Sequence, residues 1–309
     1  MNEIRISLLL VVMASGLAFG VNLNGRREKR PAAEISDCQV VTTMVSGFGI
    51  NGPDGFAMDK DGNLYVANWG NGIGDNILKI SKQVEVSEYL KGLSAPDGLV
   101  FDDESSLFIS NFASGIITKV SANGVRTEFA RGLNNPSALV FDKRGNLYVS
   151  NHGNGKGRTV SRITPDGVVS TFASGFDAPL GLAFDSKENL YVSNYNSGII
   201  HKVTPQGDVS EFARIGNVPL ARLQYLAFDK NGNLYVPSYG HNKIYRISPW
   251  RKVDVFAGSG KAGGSDGSLQ DAEFNGPNSI VIDPSGIIYI SEYNANRIRK
   301  ITIKIFAKL

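Results

Sequence analysis

The chain has 309 residues, 42% of them hydrophobic and 20% charged, which is enough for a substantial core. Its formal charge is +3, but residues 1–30 hold five of the 32 bases and two of the 29 acids, so the remainder carries 27 of each. A neutral body offers no electrostatic footprint for nucleic acid or an anionic membrane. The single cysteine, Cys38, excludes an intramolecular disulfide and a thiolate metal site.

In chain order, residues 1–20 read as a secretory signal. Arg5 supplies the basic start, Ile6–Ala14 the apolar run, and Ala18-Phe-Gly20 the small residues a signal peptidase reads. The alternative, an uncleaved anchor, needs a longer run than one interrupted by Ser15, Gly16 and Gly20. Residues 21–36 form a polar linker or pro-segment without periodicity. The expected location is secreted or periplasmic, with no membrane contact after cleavage.

Residues 37–309 are then read as one repeated domain. The phrase Asp-x-x-Gly-Asn-Leu-Tyr-Val, or a close variant, starts at Asp59, Asp102, Asp142, Asp185, Asp229 and Asp283, at intervals of 43, 40, 43, 44 and 54 residues. Within residues 96–135 four strand-length runs follow one another: Gly98–Asp102, Leu107–Asn111, Ile116–Val120 and Val125–Phe129. Each is bounded by Gly, Asn, Ser or Pro. The middle two are apolar on both faces, as in stacked sheets, and the fourth alternates. Four antiparallel strands per repeat, six times over, predict an all-β, six-bladed β-propeller. The sixth repeat lacks a fourth strand, and Val40–Ser46 resembles the outer strands, so residues 40–46 are expected to complete the last blade and leave no open sheet edge.

The six repeated Asp residues read as caps of hairpin turns, with Gly supplying positive φ. A basic residue recurs in each third strand (Lys79, Lys119, Arg162, Lys202, Arg246 and Lys300), its stem laid over apolar surface and its charge in water.

In a propeller, the entry of the first strand and the exit of the second lie at the same channel mouth. The second strands end in Asn68, Asn111, Asn151, Asn194, Ser238 and Glu292, followed by Trp69, Phe112, His152, Tyr195, Tyr239 and Tyr293. Polar groups beside flat apolar faces are what a small organic ligand needs; the alternative is blade packing. The first strands open with Asp54, Asp97, Ser137, Leu180, Gln224 and Asn278. Asp54, Asp97 and Asn278 come from consecutive blades and offer oxygen ligands to a hard cation, Ca²⁺ or Mg²⁺ ahead of Zn²⁺; the alternative is that Pro-Asp-Gly at 53–55 and 96–98 is turn chemistry. Glu292 and His152 are candidate proton carriers, and His241 sits in a loop at the same end. His201, inside a third strand, reads as structural. No phosphate cradle, nucleophile elbow or zinc-ligand spacing is present in the sequence.

Ala257-Gly-Ser-Gly, Ser265-Asp-Gly, Ala272-Glu-Phe-Asn-Gly-Pro-Asn-Ser-Ile-Val-Ile-Asp283, Ile288-Tyr-Ile-Ser and Asn296-Arg-Ile-Arg-Lys-Ile301 resemble an NHL repeat, and the likeness extends loosely over residues 40–305. Pro53-Asp-Gly and Pro96-Asp-Gly also resemble the senescence-marker-protein/gluconolactonase family of six-bladed metal-dependent hydrolases. That resemblance implies Asp54, Asp97 and Asn278 as metal ligands. The chain departs from the family in having Asn51-Gly-Pro53 in place of Glu-Gly-Pro, and Ser137 and Leu180 where ligands would stand. Peptidyl-amidating lyases, a third six-bladed relative, use histidine-bound zinc, and His201 lies in a strand away from the axis.

Three readings follow from these residues. One is a divalent-metal-dependent hydrolase of lactones or related esters. The second is a non-catalytic propeller that binds a small molecule, glycan or protein at the mouth. The third is a scaffold whose working surface is the loop Gly258–Gly276, mobile by virtue of its glycines. The expected partner is a small molecule and the expected state a monomer.

Overall fold

A computed structural model describes residues 19–21, 27–29, 35–216 and 221–307. Residues 39–303 form one compact unit, and residues 1–38 with 304–309 another. In the second of these, Phe19–Val21 pairs antiparallel with Arg27–Lys29. The signal reading falls largely outside the described residues. Among the described residues no helix is long and apolar enough to cross a membrane.

Residues 39–303 are built as a six-bladed propeller of antiparallel sheets. Blade 1 comprises Pro53–Met58, Leu64–Asn68, Asn76–Ile80 and Val86–Leu90. Blades 2, 3 and 4 open at Pro96, Pro136 and Pro179 and repeat the order. In blade 5 the innermost strand is reduced to Ala227–Phe228, with an isolated bridge from Leu223 to Ser238. Blade 6 takes Pro277–Ile282, Ile288–Glu292 and Arg297–Ala307 from the end of the chain and Ile35–Ser46 from its beginning. The closing strand is thus longer than residues 40–46, and a fifth strand, Gly267–Ser268, pairs with Val40–Val41 on its outer edge. Each innermost strand packs against the next, and that of blade 6 against that of blade 1, which closes the ring.

The repeated phrase is explained by one side-chain cluster. Asp59 Oδ1 accepts the Asp61 and Asn63 backbone N–H groups at 3.0 and 2.8 Å, and Oδ2 accepts Asn63 Nδ2. The second-strand ring stands edge-on between two others: Tyr65 between Tyr89 and Phe101, Phe108 between Phe129 and Phe141, Tyr191 between Phe212 and Phe228. The third-strand lysine lies over that ring, 5.5 Å for Lys79 on Tyr65 and 5.1 Å for Lys119 on Phe108. The six Asp residues are therefore structural, and the lysines do more than cover apolar surface.

Blades are joined near the axis by hydroxyls and by missing side chains. Ser110, Ser150, Ser193 and Ser291, each one residue before the end of a second strand, donate to the carbonyls of Ser137, Leu180, Gln224 and Asp54 in the next blade. Pro53-Asp-Gly and Pro96-Asp-Gly are not turns, because both lie inside innermost strands. Their glycines permit close approach: a Cβ at Gly98 would stand 2.2 Å from the Ser137 carbonyl oxygen. Gly98→Ala is expected to cost about 3 kcal/mol through forced separation of blades 2 and 3. Chemical denaturation reads it, and an unchanged midpoint would refute the close-packing argument.

Candidate functional site

Six aromatic or imidazole rings surround the channel mouth because each is fixed by the same backbone bond. The residue two positions before each of Asp54, Asp97, Ser137, Leu180, Gln224 and Asn278 is left-handed: Gly52, Ala95, Asn135, Ala178, Arg222 and Gly276, with φ between 45° and 65°. Its carbonyl accepts the backbone N–H of Trp69, Phe112, His152, Tyr195, Tyr239 and Tyr293 respectively, at 2.8–3.2 Å. Four of these six are not glycine, so local strain is held at this end of the molecule. The rings continue from blade to blade: centroids are 5.9 Å apart for Trp69–Phe112, Phe112–His152 and Trp69–Tyr293, and 5.5 Å for His152–Tyr195. Tyr239 follows Tyr293 at 6.2 Å, and Arg222 spans Tyr195 and Tyr239 at 5.8 and 5.7 Å.

Inside this wall is a cavity of about 370 Å³. Its floor is formed by the residues that open the innermost strands, Asp54, Asp97, Leu180, Gln224 and Asn278 among them. The structure thus brings the predicted rings together with the three predicted metal-ligand residues. Ser137 lies alongside and donates to Asp97 Oδ1 at 2.8 Å.

Tyr225, not singled out from sequence, is a buried neighbour of the two acids. It belongs to blade 5, yet its hydroxyl donates to Asp97 Oδ1 of blade 2, across the axis. Its repeat position, the one after the floor residue, is Gly55, Gly98 and Gly181 in other blades, and a Cβ on Gly55 would come 3.1 Å from the Tyr225 hydroxyl. The signal was therefore an aromatic in register with glycines.

The two carboxyls share this hydroxyl. Burial, then the neighbouring Asp97 charge, holds the Asp54 pKa well above the usual carboxylate range, against hydrogen bonds from Asn278 and Tyr225. Burial pushes Asp97 up to about 6, opposed by Tyr225 and Ser137. Two carboxylates and an amide oxygen are chemistry a hard cation takes. Here, however, the Tyr225 and Ser137 hydroxyls both bond Asp97, and Leu180 is aliphatic. The donor set fits a hydrogen-bonded acid pair better than a resident divalent ion. Among the described residues no group of three His, Cys, Asp or Glu side chains is placed to hold a metal.

These raised pKa values have a sign. The folded state binds protons more tightly than the unfolded chain, so the stabilising contribution is complete below about pH 4 and is lost as pH rises through about 6. Asp97→Asn removes the ionising group while retaining an acceptor. It is expected to raise Tm at pH 7.5 by roughly 2–4 °C, with little change at pH 4. Thermal melts at the two pH values check it; a fall at pH 7.5 would contradict it.

Other predicted site residues are placed elsewhere. Asn68, Asn111, Asn151 and Asn194 do not line the cavity. The carbonyl oxygen of each accepts the backbone N–H of the residue 17 positions earlier, Asn51, Ser94, Asn134 and Asp177, at 2.8–3.3 Å, and each amide nitrogen reaches the third strand. They clamp the incoming loop. Glu292 does the same for Asn275 at 2.7 Å and is fully buried. Its other oxygen meets Arg297 and Arg299, so it is committed to an internal ion cluster rather than to proton transfer at the mouth. That cluster also pins the long loop: Arg299 donates to the Glu273 and Ser265 carbonyls and to Asp266, and Arg297 to the Gly263 carbonyl. With Ala272 and Phe274 fully buried, the loop Gly258–Gly276 is anchored along much of its length rather than a free lid.

His241 bonds Tyr245 through Nδ1 at 3.0 Å and is not part of the wall. His201 bonds Asn194, as a structural histidine would. His152 does line the cavity. Burial pushes its pKa down to about 4, and its Nδ1 accepts the Gly155 N–H at 3.3 Å, which leaves the proton on Nε2. It therefore presents a donor, not a base. Of six buried polar side-chain atoms without a partner among the described residues, three belong to this cavity: Trp69 Nε1, His152 Nε2 and Asn278 Oδ1.

No protein-family model matches the chain, and no curated protein matches it. Solved structures share its architecture. An auxiliary nutrient binding protein from Bacteroides thetaiotaomicron superposes with a TM-score of 0.74 at 18% identity, over 91% of this chain and 81% of that one. A gluconolactonase from Xanthomonas campestris does so at 0.68 and 16%, over 89% and 99%. A virginiamycin B lyase from Staphylococcus aureus, solved with quinupristin, does so at 0.61 and 18%, over 92% and 87%. At these identities the likeness carries the fold alone, and the three neighbours are named for three different functions.

Proposed function

We propose that this protein binds a small organic molecule in the aromatic-walled channel mouth, as a binding propeller. The observation that carries the proposal is a cavity walled by six rings, three of whose lining residues hold a buried polar atom without a partner among the described residues. A buried donor or acceptor without a partner is costly, and a ligand with matching groups would relieve that cost at Trp69, His152 and Asn278 together. The flat walls supply affinity and the polar atoms orientation. Neighbours named as auxiliary nutrient binding proteins support the same reading. Export belongs with it, and the mass of the mature N-terminus from the producing cell tests that part.

Trp69 reports on the site directly. The chain has two tryptophans, and Trp250 is 87% exposed and does not line the cavity. A fluorescence screen of metabolites on Trp250→Phe protein is expected to find ligands that quench or shift Trp69 emission. Trp69→Ala should then cost about 2 kcal/mol, roughly thirtyfold in Kd by calorimetry. Unchanged affinity would place the ligand elsewhere.

Divalent-metal-dependent hydrolysis of a lactone or ester is the second reading. Asn278 Oδ1, an unpartnered acceptor beside two carboxylates, favours it, as do neighbours named gluconolactonase. Asp54, Asp97 and Asn278 would hold the ion, which would polarise a carbonyl and activate water. It requires Tyr225 to give way. About one Ca²⁺, Mg²⁺ or Zn²⁺ per chain after dialysis, with ester turnover lost on chelation, would establish it over simple binding.

A further inference from the structure

We infer that the ligand of this mouth is an organic primary amine, bound with its ammonium group on the Asn278–Asp54–Asp97 side of the floor and its body between the rings. The inference rests on the small-molecule reading above and narrows it. A primary ammonium carries three N–H donors. Blades 6, 1 and 2 present three oxygen acceptors in adjacent positions: Asn278 Oδ1, the Asp54 carboxyl and the Asp97 carboxyl. Asn278 is only 4% exposed, its side chain bonds Asp54, and its Oδ1 has no partner. The free acceptor thus sits beside the acid pair on the cavity wall.

Charge points the same way. Asp54 and Asp97 are 8% and 5% exposed, and no Lys or Arg is among the residues lining the cavity. The cation near the wall, Arg222, stands over Tyr195 and Tyr239 and is itself exposed. A buried carboxyl pair with no cation lining its cavity is complemented by an arriving ammonium. The walls suit such a ligand as well, since the negative faces of Trp, Tyr and Phe attract cations. A neutral hydroxyl would meet the same acceptors without compensating their charge. An anion would be repelled.

The test is calorimetric titration of the full chain with three molecules of one shape: 2-phenylethylamine, 2-phenylethanol and phenylacetate. The amine is expected to bind at least tenfold more tightly than the alcohol, and phenylacetate not to bind. Asp97→Asn should weaken the amine at least tenfold and leave the alcohol within about twofold, while Trp69→Ala weakens both. Alcohol or acid binding as tight as amine binding, or amine affinity untouched by Asp97→Asn, would overturn the inference while leaving a small-molecule site in place. A dialysis-resistant divalent ion that blocks the amine would also overturn it. Failure of all three molecules, with no quencher of Trp69 in the metabolite screen, would remove the binding site itself.

Discussion

Deletion of residues 38–47 is expected to abolish soluble monomer. The strand Ile35–Ser46 lies between Gly267–Ser268 and Arg297–Ala307, so its loss strips both neighbours of their partner at once. Val41 is fully buried and Val45 nearly so, and they belong to different core clusters, one of which reaches blades 3–5 and the other blade 1. Losing the two side chains forfeits roughly 3–6 kcal/mol, before any ladder hydrogen bond is counted, and the third strand of blade 6 becomes an open edge that invites pairing with another chain. Soluble yield and size-exclusion profile are the measurements. A monomeric truncated protein with a cooperative melt would mean that blade 6 closes by other means.

Glu292→Ala should destabilise the fold by about 3–5 kcal/mol, since it leaves Arg299, itself fully buried, without its buried counter-charge. At this size that is a fall in Tm of roughly 6–20 °C. The physical logic is a swap within the repeat. In blade 2 the corresponding pair is Asn111 with Thr118, and in blade 3 Asn151 with Ser161. In blade 6 the same two places are a carboxylate and a guanidinium, and the guanidinium continues outward to hold the loop before the blade. Converting both, Glu292→Asn with Arg299→Thr, should cost less than the sum of the singles by more than 1 kcal/mol. Additive losses by denaturant titration would show that the two side chains act independently.

How much of this was legible before the structure follows from the kind of information a repeat carries. Strand number, blade number and the N-terminal closure were readable because the same apolar runs recur at one period, and because Val40–Ser46 has the pattern of an outer strand. The rings of the mouth were readable for the same reason. Their amide neighbours were misassigned because successive strand residues face opposite ways: Trp69 and Asn68 cannot both look into the channel, and the period does not say which one does. The fixed spacing of 17 residues from Asn51 to Asn68, Ser94 to Asn111 and Asn275 to Glu292 was the available signal for a clamp. Pro-Asp-Gly misled because its turn chemistry is strong locally, whereas here its glycine answers to the next blade. Tyr225 reaches Asp97 over 128 residues of chain and three blades, a contact no local pattern encodes.

The floor has one more consequence. Four of the six blade junctions share one hydroxyl contact, yet the innermost positions present Asp54, Asp97, Ser137, Leu180, Gln224 and Asn278. A ring of identical blades would offer any guest six degenerate poses. Here the acidic arc of blades 6, 1 and 2 faces the neutral arc of blades 3, 4 and 5, so that the ligand proposed above would have a single preferred orientation. The backbone keeps its rotational pseudo-symmetry while the side chains break it. Exchanging floor residues between arcs, for example Leu180→Asp with Asp54→Leu, puts the carboxyls in blades 2 and 4 and should therefore turn a bound molecule about the axis toward blade 3 rather than unfold the protein.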